Sequence, residues 1–305
     1  PAFQRILVEE KNVPKDKVIM IPNASDFSLA EEVQKNFDKN KFREDNNFED
    51  KIVITYVGAH GVANHLIQLI DAAEILKNEN VLILSIGAGM QQEMLRIEVK
   101  KRNLSNIRFI DPVPKADVFK YILASDIGTS VLKKVDTFKT IYSNKTFDYM
   151  SCKKPILMMI DGVSRDLVEN AKCGFYVEPE NPNDFANKVK IYLNKPELLP
   201  EHGNNGYQYA LKHFDRSILA EKYLENLKKE HLNLELKIVG SAVKFCEIAY
   251  GNADEYTRFN PTMEWDTASG QILMNEIGKK LIDLSTNKEM LYNRENLKNS
   301  GFTVK

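Results

Sequence analysis

The sequence predicts an α/β protein in which a doubly wound parallel sheet is followed by a small α+β segment. Short runs of branched apolar residues recur from residue 17 to about residue 200, with amphipathic segments between them, as in βα repeats. Most of these runs are apolar throughout, which is typical of strands covered on both faces. The alternation stops after residue 230. We therefore predict two domains, 1–230 and 231–305.

The predicted strands of the sheet are short and rich in Val, Ile and Leu. They are KVIMIP (17–22), IVITYVG (52–58), VLILSIG (81–87), IRFI (107–110), DIGTSVL (126–132) and PILMMI (155–160). Helical spacing predicts helices at 62–77, 90–102, 115–124, 144–152 and 163–171, followed by a helical tail at 182–194 and 204–230. The polar stretch 29–50 is predicted to be a surface excursion.

The second segment has a different order of elements. LELKIVG (234–240) is predicted to be a strand and is followed by a helix from about Ser241. A strand at ADEYTRF (253–259), a helix from about Trp265, a strand at KLIDLST (280–286) and a loop complete it. At about seventy residues and without disulfides, this segment should bury little core by itself.

Composition excludes several classes of protein. The 305 residues carry a formal net charge of −1, so we expect no nucleic-acid partner. No apolar run is long enough to span a bilayer, so we expect no transmembrane segment. Cys152, Cys173 and Cys246 lack zinc or disulfide spacing, which favours the cytoplasm, with the inner membrane face as one option. The start at Pro1 rather than Met suggests a fragment.

Two glycine-containing turns leave predicted strands and enter helices. One passes through Gly58, His60 and Gly61, and the other through Gly87 and Gly89. In open α/β sheets, ligands lie beyond the carboxyl ends of the strands, where glycines let a phosphate approach the backbone. Taken alone, each glycine is more often a simple turn, and His60 is more often a loop residue than a ligand. Their common position at one predicted edge favours a phosphate site.

A third strand end, TIYSNKTFDYM, combines a helix start with charge. Ser143 stands at the N-cap position, Asn144 and Lys145 lie in the first turn, and Asp148 follows one turn later. A cation and free amide groups at a helix start suit a diphosphate, and a nearby carboxylate suits ribose hydroxyls. The alternative is that Lys145 is a solvated surface charge.

These motifs resemble those of a known family. Residues 1–230 are similar to the C-terminal, donor-binding domain of family 4 retaining glycosyltransferases of the GT-B fold. The similarity lies in VPKDKVIMIPNASDF, YVGAHGVANHL, LSIGAG, FIDPVPKADVFKYILASDIGTSVL and SNKTFDYMSCKKPIL. It implies a nucleotide sugar or nucleoside diphosphate as ligand, no cofactor, and a role such as surface-polysaccharide synthesis. In this family an N-terminal acceptor domain completes the cleft, and this chain has no residues for it.

The resemblance also implies roles for individual residues. The backbone at Gly58 and Gly61 would face the donor diphosphate, Lys145 would approach phosphate and Asp148 would hold the ribose. Asp111 to Val113 would border the base. The full set of candidate donor-binding residues is Gly58, His60, Gly61, Gly87, Gly89, Asp111, Val113, Ser143, Asn144, Lys145 and Asp148. The family often has two glutamates eight residues apart, and here Thr140 and Asp148 occupy those positions.

The segment PTMEWDTASG (261–270) raises a second kind of site. Asp266 at a helix start could bind Mg²⁺ beside small residues that admit a phosphate, or it could merely cap the helix beside a buried Trp265. Residues 237–305 resemble the C-terminal half of 3′(2′),5′-bisphosphate nucleotidases of the inositol monophosphatase superfamily. The resemblance implies that Asp266 is a metal ligand and that Ser241, Lys244 and Arg258 lie near phosphate.

The sequence departs from that superfamily in one respect that matters for catalysis. The other metal ligands come from an upstream Glu and an Asp-Pro-x-Asp-Gly-Thr block, which this chain lacks. Three hypotheses therefore stand: a glycosyltransferase donor domain with an incomplete phosphatase half, a bisphosphate nucleotidase completed by another chain, or a non-catalytic or artificial fusion. The number of matching motifs favours the first.

Overall fold

The computed structural model of the chain describes residues 2–18, 20–25, 27–48, 50–230 and 242–304. The chain divides into two compact units, Pro1–Asn226 and Leu227–Lys305. The first holds a parallel sheet with helices on both faces, and the described part of the second holds short antiparallel strands and helices. The predicted fold class, a doubly wound sheet followed by a small α+β segment, is confirmed.

The sheet of the first unit has six parallel strands in the order β3-β2-β1-β4-β5-β6. They are β1 (Ile52–Val57), β2 (Val81–Ile86), β3 (Ile107–Ile110), β4 (Ile127–Val131), β5 (Ile156–Met159) and β6 (Gly174–Tyr176). The first five coincide with predicted strands. The sequence did not predict β6, because three residues carry too little periodicity to be recognised.

Eleven α-helices are found among the described residues of the first unit and the segment that leaves it. They are α1 (Ala2–Arg5), α2 (Phe27–Lys35), α3 (Lys39–Asp45), α4 (Ile67–Ile75), α5 (Gln92–Lys101), α6 (Lys115–Ala124), α7 (Asn144–Ser151), α8 (Val163–Ala171), α9 (Pro182–Asn194), α10 (Leu198–His213) and α11 (Arg216–Glu230). A π-helical turn, Ile6–Glu10, follows α1, and 3₁₀ turns lie at Lys15–Lys17, Val62–Asn64 and Asp136–Thr140.

Both faces of the sheet are buried. Ile54 and Ile83 belong to a core with α4 and α9, whereas Val53 and Leu82 point to the opposite face and a separate core. Met158 of β5 belongs to a further core, which it shares with residues of α6, α7, α8 and α10. This two-sided burial explains why the strands are apolar throughout, as predicted.

The prediction of a strand at 17–22 is wrong. Lys15–Lys17 form a 3₁₀ turn, and the described residues after it take no strand conformation. Pro14 immediately precedes the turn, and Pro22 has no amide hydrogen to donate to a neighbouring strand. The chain makes only an isolated bridge from Ser25 to Asp215 before α2 begins.

The stretch 29–50 is not a surface excursion but contains α3 and most of α2. Leu29, Val33 and Phe37, spaced four residues apart, pack against the core around α6 and α7. Arg43 of α3 is buried and donates to the carbonyls of Ala124 and Lys51 and to the carboxylate of Asp126, 3.1 Å away. High polarity concealed a four-residue apolar repeat on one face.

The described residues of the second unit form two helices and two small sheets. The helices are α12 (Val243–Ala249) and α13 (Glu264–Glu276), and the strands are β7 (Tyr256–Arg258), β8 (Thr262–Met263), β9 (Leu281–Asp283), β10 (Lys288–Glu289), β11 (Lys298–Asn299) and β12 (Phe302–Val304). The sheets have the orders β10-β9-β12-β7 and β11-β8. The loop predicted after residue 286 is confirmed at 290–297, but the short strands β10, β11 and β12 on either side of it were not predicted.

The core of the second unit is small. Phe245, Ile248, Met274, Leu281, Met290, Phe302 and Val304 form one buried cluster. Gly270 lies where Phe245 packs, since a Cβ at Gly270 would come within 2.3 Å of the ring. The predicted strand at 234–240 and the helix start at Ser241 lie outside the described residues.

Arg43 allows a test of the first unit's architecture. We expect Arg43→Ala to lower the free energy of unfolding by on the order of 3 kcal/mol, because two carbonyls lose their donor and the carboxylate of Asp126 loses its buried cation. Urea unfolding measures this. Lys39→Ala is the matched control, because Lys39 makes only an exposed 3.4 Å ion pair with the same carboxylate. Equal stability of the two variants would contradict the assignment.

Candidate functional site

The candidate site lies where the strand order of the sheet reverses. The chain runs from β1 outward to β2 and β3, and then returns to the other side of β1 with β4. Helices that leave the two halves cover opposite faces, so a crevice opens at the carboxyl ends of β1 and β4. The turns after β1 and β2 and the start of α7 all lie at this edge.

The two glycine turns contact each other through their backbones. A Cβ at Gly87, whose φ is +146°, would lie 2.0 Å from the carbonyl oxygen of Gly58. A Cβ at Gly89 would lie 2.5 Å from the carbonyl oxygen of His60, and the His60 amide donates to the carbonyl of Ala88 at 2.9 Å. Only glycine tolerates such approaches, so the predicted convergence of these turns is confirmed.

Gly61 and His60 have different surroundings. Gly61 precedes the 3₁₀ turn Val62–Asn64 with ordinary extended backbone. The ring of His60 is fully buried, its Nε2 lies 3.0 Å from the hydroxyl of Ser85, and it meets the ring of Phe109 edge-on. Burial, the main cause, lowers the pKa of His60, with help from the charge of Arg96. His60 therefore anchors its turn to β2 as a neutral group.

Lys145 reaches from the start of α7 to the first glycine turn. Its Nζ lies 4.9 Å from the centre of the Tyr56 ring and donates to the hydroxyl of Ser143 at 3.4 Å. A Cβ on Gly58 would be 3.0 Å from the Cε of Lys145. Burial lowers the pKa of Lys145 to about 8, against an opposing effect of Asp148. The sequence alternative, a solvated surface charge, is wrong, because the ammonium packs over an aromatic ring.

The other predicted residues of α7 are placed as follows. Ser143 occupies the N-cap position, but its side chain makes no capping bond and donates instead to Ser130 at 3.3 Å. Asn144 is exposed and accepts a hydrogen bond from Asn23. Asp148 follows one turn later, close enough for its charge to act on Lys145. The predicted cation, helix start and carboxylate thus occur together.

Asp111 and Val113 lie at the end of β3, the edge strand, which β2 separates from β1. The carboxylate of Asp111 is exposed and accepts hydrogen bonds from Gln92 at 2.8 Å and Arg96 at 2.9 Å. Val113 is partly buried. They share the sheet edge with the glycine turns but make no hydrogen bond with Lys145.

Sequence reasoning missed three polar groups beneath the site. The ring of Tyr56 lies under Lys145, and the hydroxyl of Ser130 accepts a hydrogen bond from Ser143. The hydroxyl of Tyr149 is hydrogen-bonded to both β1 and β4. Each is a polar residue in an apolar strand or on the buried face of α7, and that was the available signal. Thr140, by contrast, bonds only to the backbone of Thr137 and brings no carboxylate.

In the second unit, Asp266 caps α13. Its carboxylate accepts a hydrogen bond from the amide of Met263 at 3.0 Å. Trp265 is 64% exposed, so the expected buried Trp beside the cap is wrong. Glu264, rather than Trp265, is buried, and it accepts hydrogen bonds from Arg294 and from the amide of Asn293.

The remaining residues of the second site do not form a metal centre. Lys244 lies 5.3 Å from the ring centre of Tyr256, and Arg258 donates to the carbonyl of Asn260. Ser241 lies outside the described residues. Among the residues that the structure describes, no group of three or more His, Cys, Asp or Glu side chains could hold a metal ion. A ligand role for Asp266 therefore stays a prediction.

Two known families match different parts of the chain. A family model described as glycosyl transferases group 1 matches residues 38–209, more than half of the chain. The chain belongs to this family. A model of the inositol monophosphatase family matches residues 184–302, which overlaps the first match in α9 and α10 and covers most of the second unit. Both predicted resemblances are confirmed.

Curated relatives match one part or the other. The putative colanic acid biosynthesis glycosyl transferase WcaI of Escherichia coli K12 is 23% identical over 226 residues, covering 72% of this chain and 53% of that protein. The 3′(2′),5′-bisphosphate nucleotidase CysQ of Salmonella typhimurium is 37% identical over 83 residues, covering 27% of this chain and 32% of that protein. The chain thus spans about half of the first relative and a third of the second.

Solved glycosyltransferases share the fold of the first unit. A glycosyltransferase from Rickettsia africae gives a TM-score of 0.64 at 17% identity, covering 74% of this chain and 61% of that one. Anabaena HepE with UDP-glucose gives 0.63 at 18% identity, with 75% and 62% covered. The C-terminal domain of LpcC from Francisella tularensis gives a TM-score of 0.50 at 17% identity, with 60% of this chain and 98% of that one covered.

In this chain, no described helix is both long and apolar enough to cross a membrane.

The pKa of Lys145 can be measured directly. We expect its rate of acylation by acetic anhydride to rise about tenfold per pH unit and to level off above pH 8, because only the neutral amine reacts and burial favours that form. Mass spectrometry of the Lys145 peptide gives the rate. Lys101, an exposed lysine of α5, is acylated in the same samples and serves as the internal control for reagent exposure. A rate at Lys145 that still rises tenfold per pH unit above pH 9 would contradict its lowered pKa.

Proposed function

We propose that the first unit is the donor-binding half of a retaining glycosyltransferase and binds a nucleotide sugar through its diphosphate. The observation that carries this proposal is the position of Lys145, whose ammonium lies over Tyr56 and against Gly58 at the switch point of the sheet. A diphosphate in this crevice would meet a partly buried cation, the start of α7 and a glycine turn. Asp148 would then bind the ribose.

The comparisons support uridine nucleotides as the first ligands to try. HepE was solved with UDP and with UDP-glucose at 18% identity, a level that supports only a shared fold. The relative WcaI is named for colanic acid biosynthesis, and this supports surface-polysaccharide synthesis as the setting of the proposed activity. The base, the sugar and the acceptor all belong to this proposal.

We further propose that this half alone binds the donor without transferring it. Retaining transfer requires an acceptor hydroxyl held against the anomeric carbon in a cleft that excludes water. The first unit offers one wall of such a cleft, formed by the carboxyl edge of its sheet. A Rossmann-like acceptor domain would have to supply the other wall.

For the second unit we propose a non-catalytic role. Its resemblance to bisphosphate nucleotidases favours phosphate chemistry as the alternative function. Two or more metal ions normally cooperate in such hydrolysis, and together they need several carboxylates. Asp266 is used as a helix cap, and Glu264 is paired with Arg294 2.9 Å away, so the acidic residues of this segment serve its own fold.

The proposed donor site is tested by calorimetry with UDP, GDP, ADP, CDP and dTDP and with their glucose conjugates where these exist. We expect one base to bind, and we expect Asp148→Ala to weaken that binding by about 1.5–3 kcal/mol through loss of a charge-assisted hydrogen bond. The same ligand should slow acylation of Lys145 at pH 8, because phosphate raises its pKa.

Asp45→Ala is the control for this experiment. Asp45 is the last residue of α3, and Arg43 of the same helix binds Asp126 at the amino ends of β1 and β4. Asp45 therefore lies at the edge of the sheet opposite to the candidate site. The nucleotide affinity of the Asp45→Ala variant should equal that of the unaltered protein. No binding of any nucleotide to the folded protein would refute the proposal, as would unchanged affinity in folded Asp148→Ala.

For the second unit we expect no phosphate release from adenosine 3′,5′-bisphosphate with millimolar Mg²⁺, because a lone carboxylate leaves most of the ion's water shell in place. The malachite green assay measures phosphate. Asp266→Asn is the matched variant and should leave the background rate unchanged. Turnover that disappears in Asp266→Asn would show that another carboxylate or a second chain completes the site.

A further inference from the structure

The pairing of β1 with β4 is unusually short. β1 pairs with β2 along its whole length, from Ile52 with Val81 to Val57 with Ile86. With β4 it pairs only at Ile54–Ile127 and Thr55–Gly128. The next pair in this register, Tyr56 with Thr129, is not formed. The ladder between β1 and β4 therefore opens at the carboxyl ends of these strands, where the candidate site lies.

The hydroxyl of Tyr149 lies between the separated strands. The amide of Val57 in β1 donates to this hydroxyl at 3.0 Å, and the hydroxyl donates to the carbonyl of Thr129 in β4 at 3.2 Å. One side-chain oxygen therefore replaces a direct backbone contact and satisfies both strands. Val57 immediately precedes Gly58, so this bond fixes the last residue of β1 before the first glycine turn.

The ring of Tyr149 has little freedom to move. It is fully buried, and a Cβ at Gly128 would lie 2.3 Å from its Cγ, so the ring rests directly on the glycine of β4. Burial, the main cause, raises the pKa of this phenol, which keeps the proton that the Thr129 carbonyl accepts. Since Tyr149 follows Asp148 in α7, the same helix turn carries a candidate ligand-binding carboxylate and this buried ring.

We propose that Tyr149 is a positioning residue for the donor diphosphate: its hydroxyl bridges β1 and β4 and fixes the end of β1 that leads into the first glycine turn. The proposal rests on the proposed function of the first unit. Without the hydroxyl, the Val57 amide and the Thr129 carbonyl either approach each other and narrow the crevice or remain unpaired. In both cases the end of β1 that leads into the first glycine turn shifts relative to Lys145.

The test compares Tyr149→Phe with Tyr192→Phe. Tyr192 is also fully buried and bonds through its hydroxyl to His202 at 2.9 Å, but it lies in α9. We expect both variants to lose similar thermal stability. Only Tyr149→Phe should bind the nucleoside diphosphate about tenfold more weakly, while its affinity for the free nucleoside stays unchanged. UDP and uridine are the probes, or the corresponding pair for whichever base binds.

Each outcome of this test has a clear meaning. Unchanged diphosphate affinity in folded Tyr149→Phe overturns the inference, as does an equal loss for diphosphate and nucleoside, which would indicate general damage. Absence of binding to the unaltered protein refutes the proposed function instead.

A second measurement applies if Tyr149→Phe does not fold. Nuclear magnetic resonance of the unaltered protein should show the amides of Val57 and Gly58 shifting on titration with the diphosphate and remaining still on titration with the nucleoside. Diphosphate binding that leaves both amides unshifted would overturn the inference.

Discussion

In the first unit, every buried amide of the central strand β1 must find a hydrogen-bond acceptor. The neighbouring strand β4 pairs with β1 at only two residue pairs, so it cannot supply all of these acceptors. Side chains meet this requirement at both ends. The carboxylate of Asp126 accepts from the amide of Val53 at 2.9 Å, and the hydroxyl of Tyr149 accepts from the amide of Val57 at 3.0 Å. Because the bonds are supplied from outside the ladder, the strands can part without leaving a buried amide unpaired.

At each end of β1 a side chain accepts a hydrogen bond from a backbone amide, but one acceptor is charged and the other is neutral. At the amino end, the charge of Asp126 is balanced by buried Arg43, and that edge is closed by α3. At the carboxyl end the bridging group is a neutral phenol, and the nearby cation, Lys145, meets an aromatic face. A lysine held this way loses part of its hydration without gaining a full ion pair, which lowers its pKa. Such a group gains most from an anionic ligand.

The sequence predicted the parts of this site that are local in the chain. Strand ends, glycines and the first turn of α7 follow from patterns of a few residues, and their shared edge follows from parallel topology. Tyr149 and Arg43 could not be found in this way, since their roles depend on partners roughly 20 to 90 residues distant. The error at 17–22 has the same origin. An apolar run looks like a strand, but pairing needs a neighbour with free ladder positions, and proline reduces what the run can offer.

The second unit shows why a signature motif does not guarantee its chemistry. In PTMEWDTASG the small residue Gly270 admits the ring of Phe245, Asp266 caps α13, and Glu264 holds the segment around Arg294. All three would serve the fold of any protein that carries this helix, whether or not a metal binds beside it. Catalysis would add a demand that the helix alone cannot meet, namely further carboxylates brought from elsewhere to within reach of one ion. In this chain the motif thus specifies a helix start.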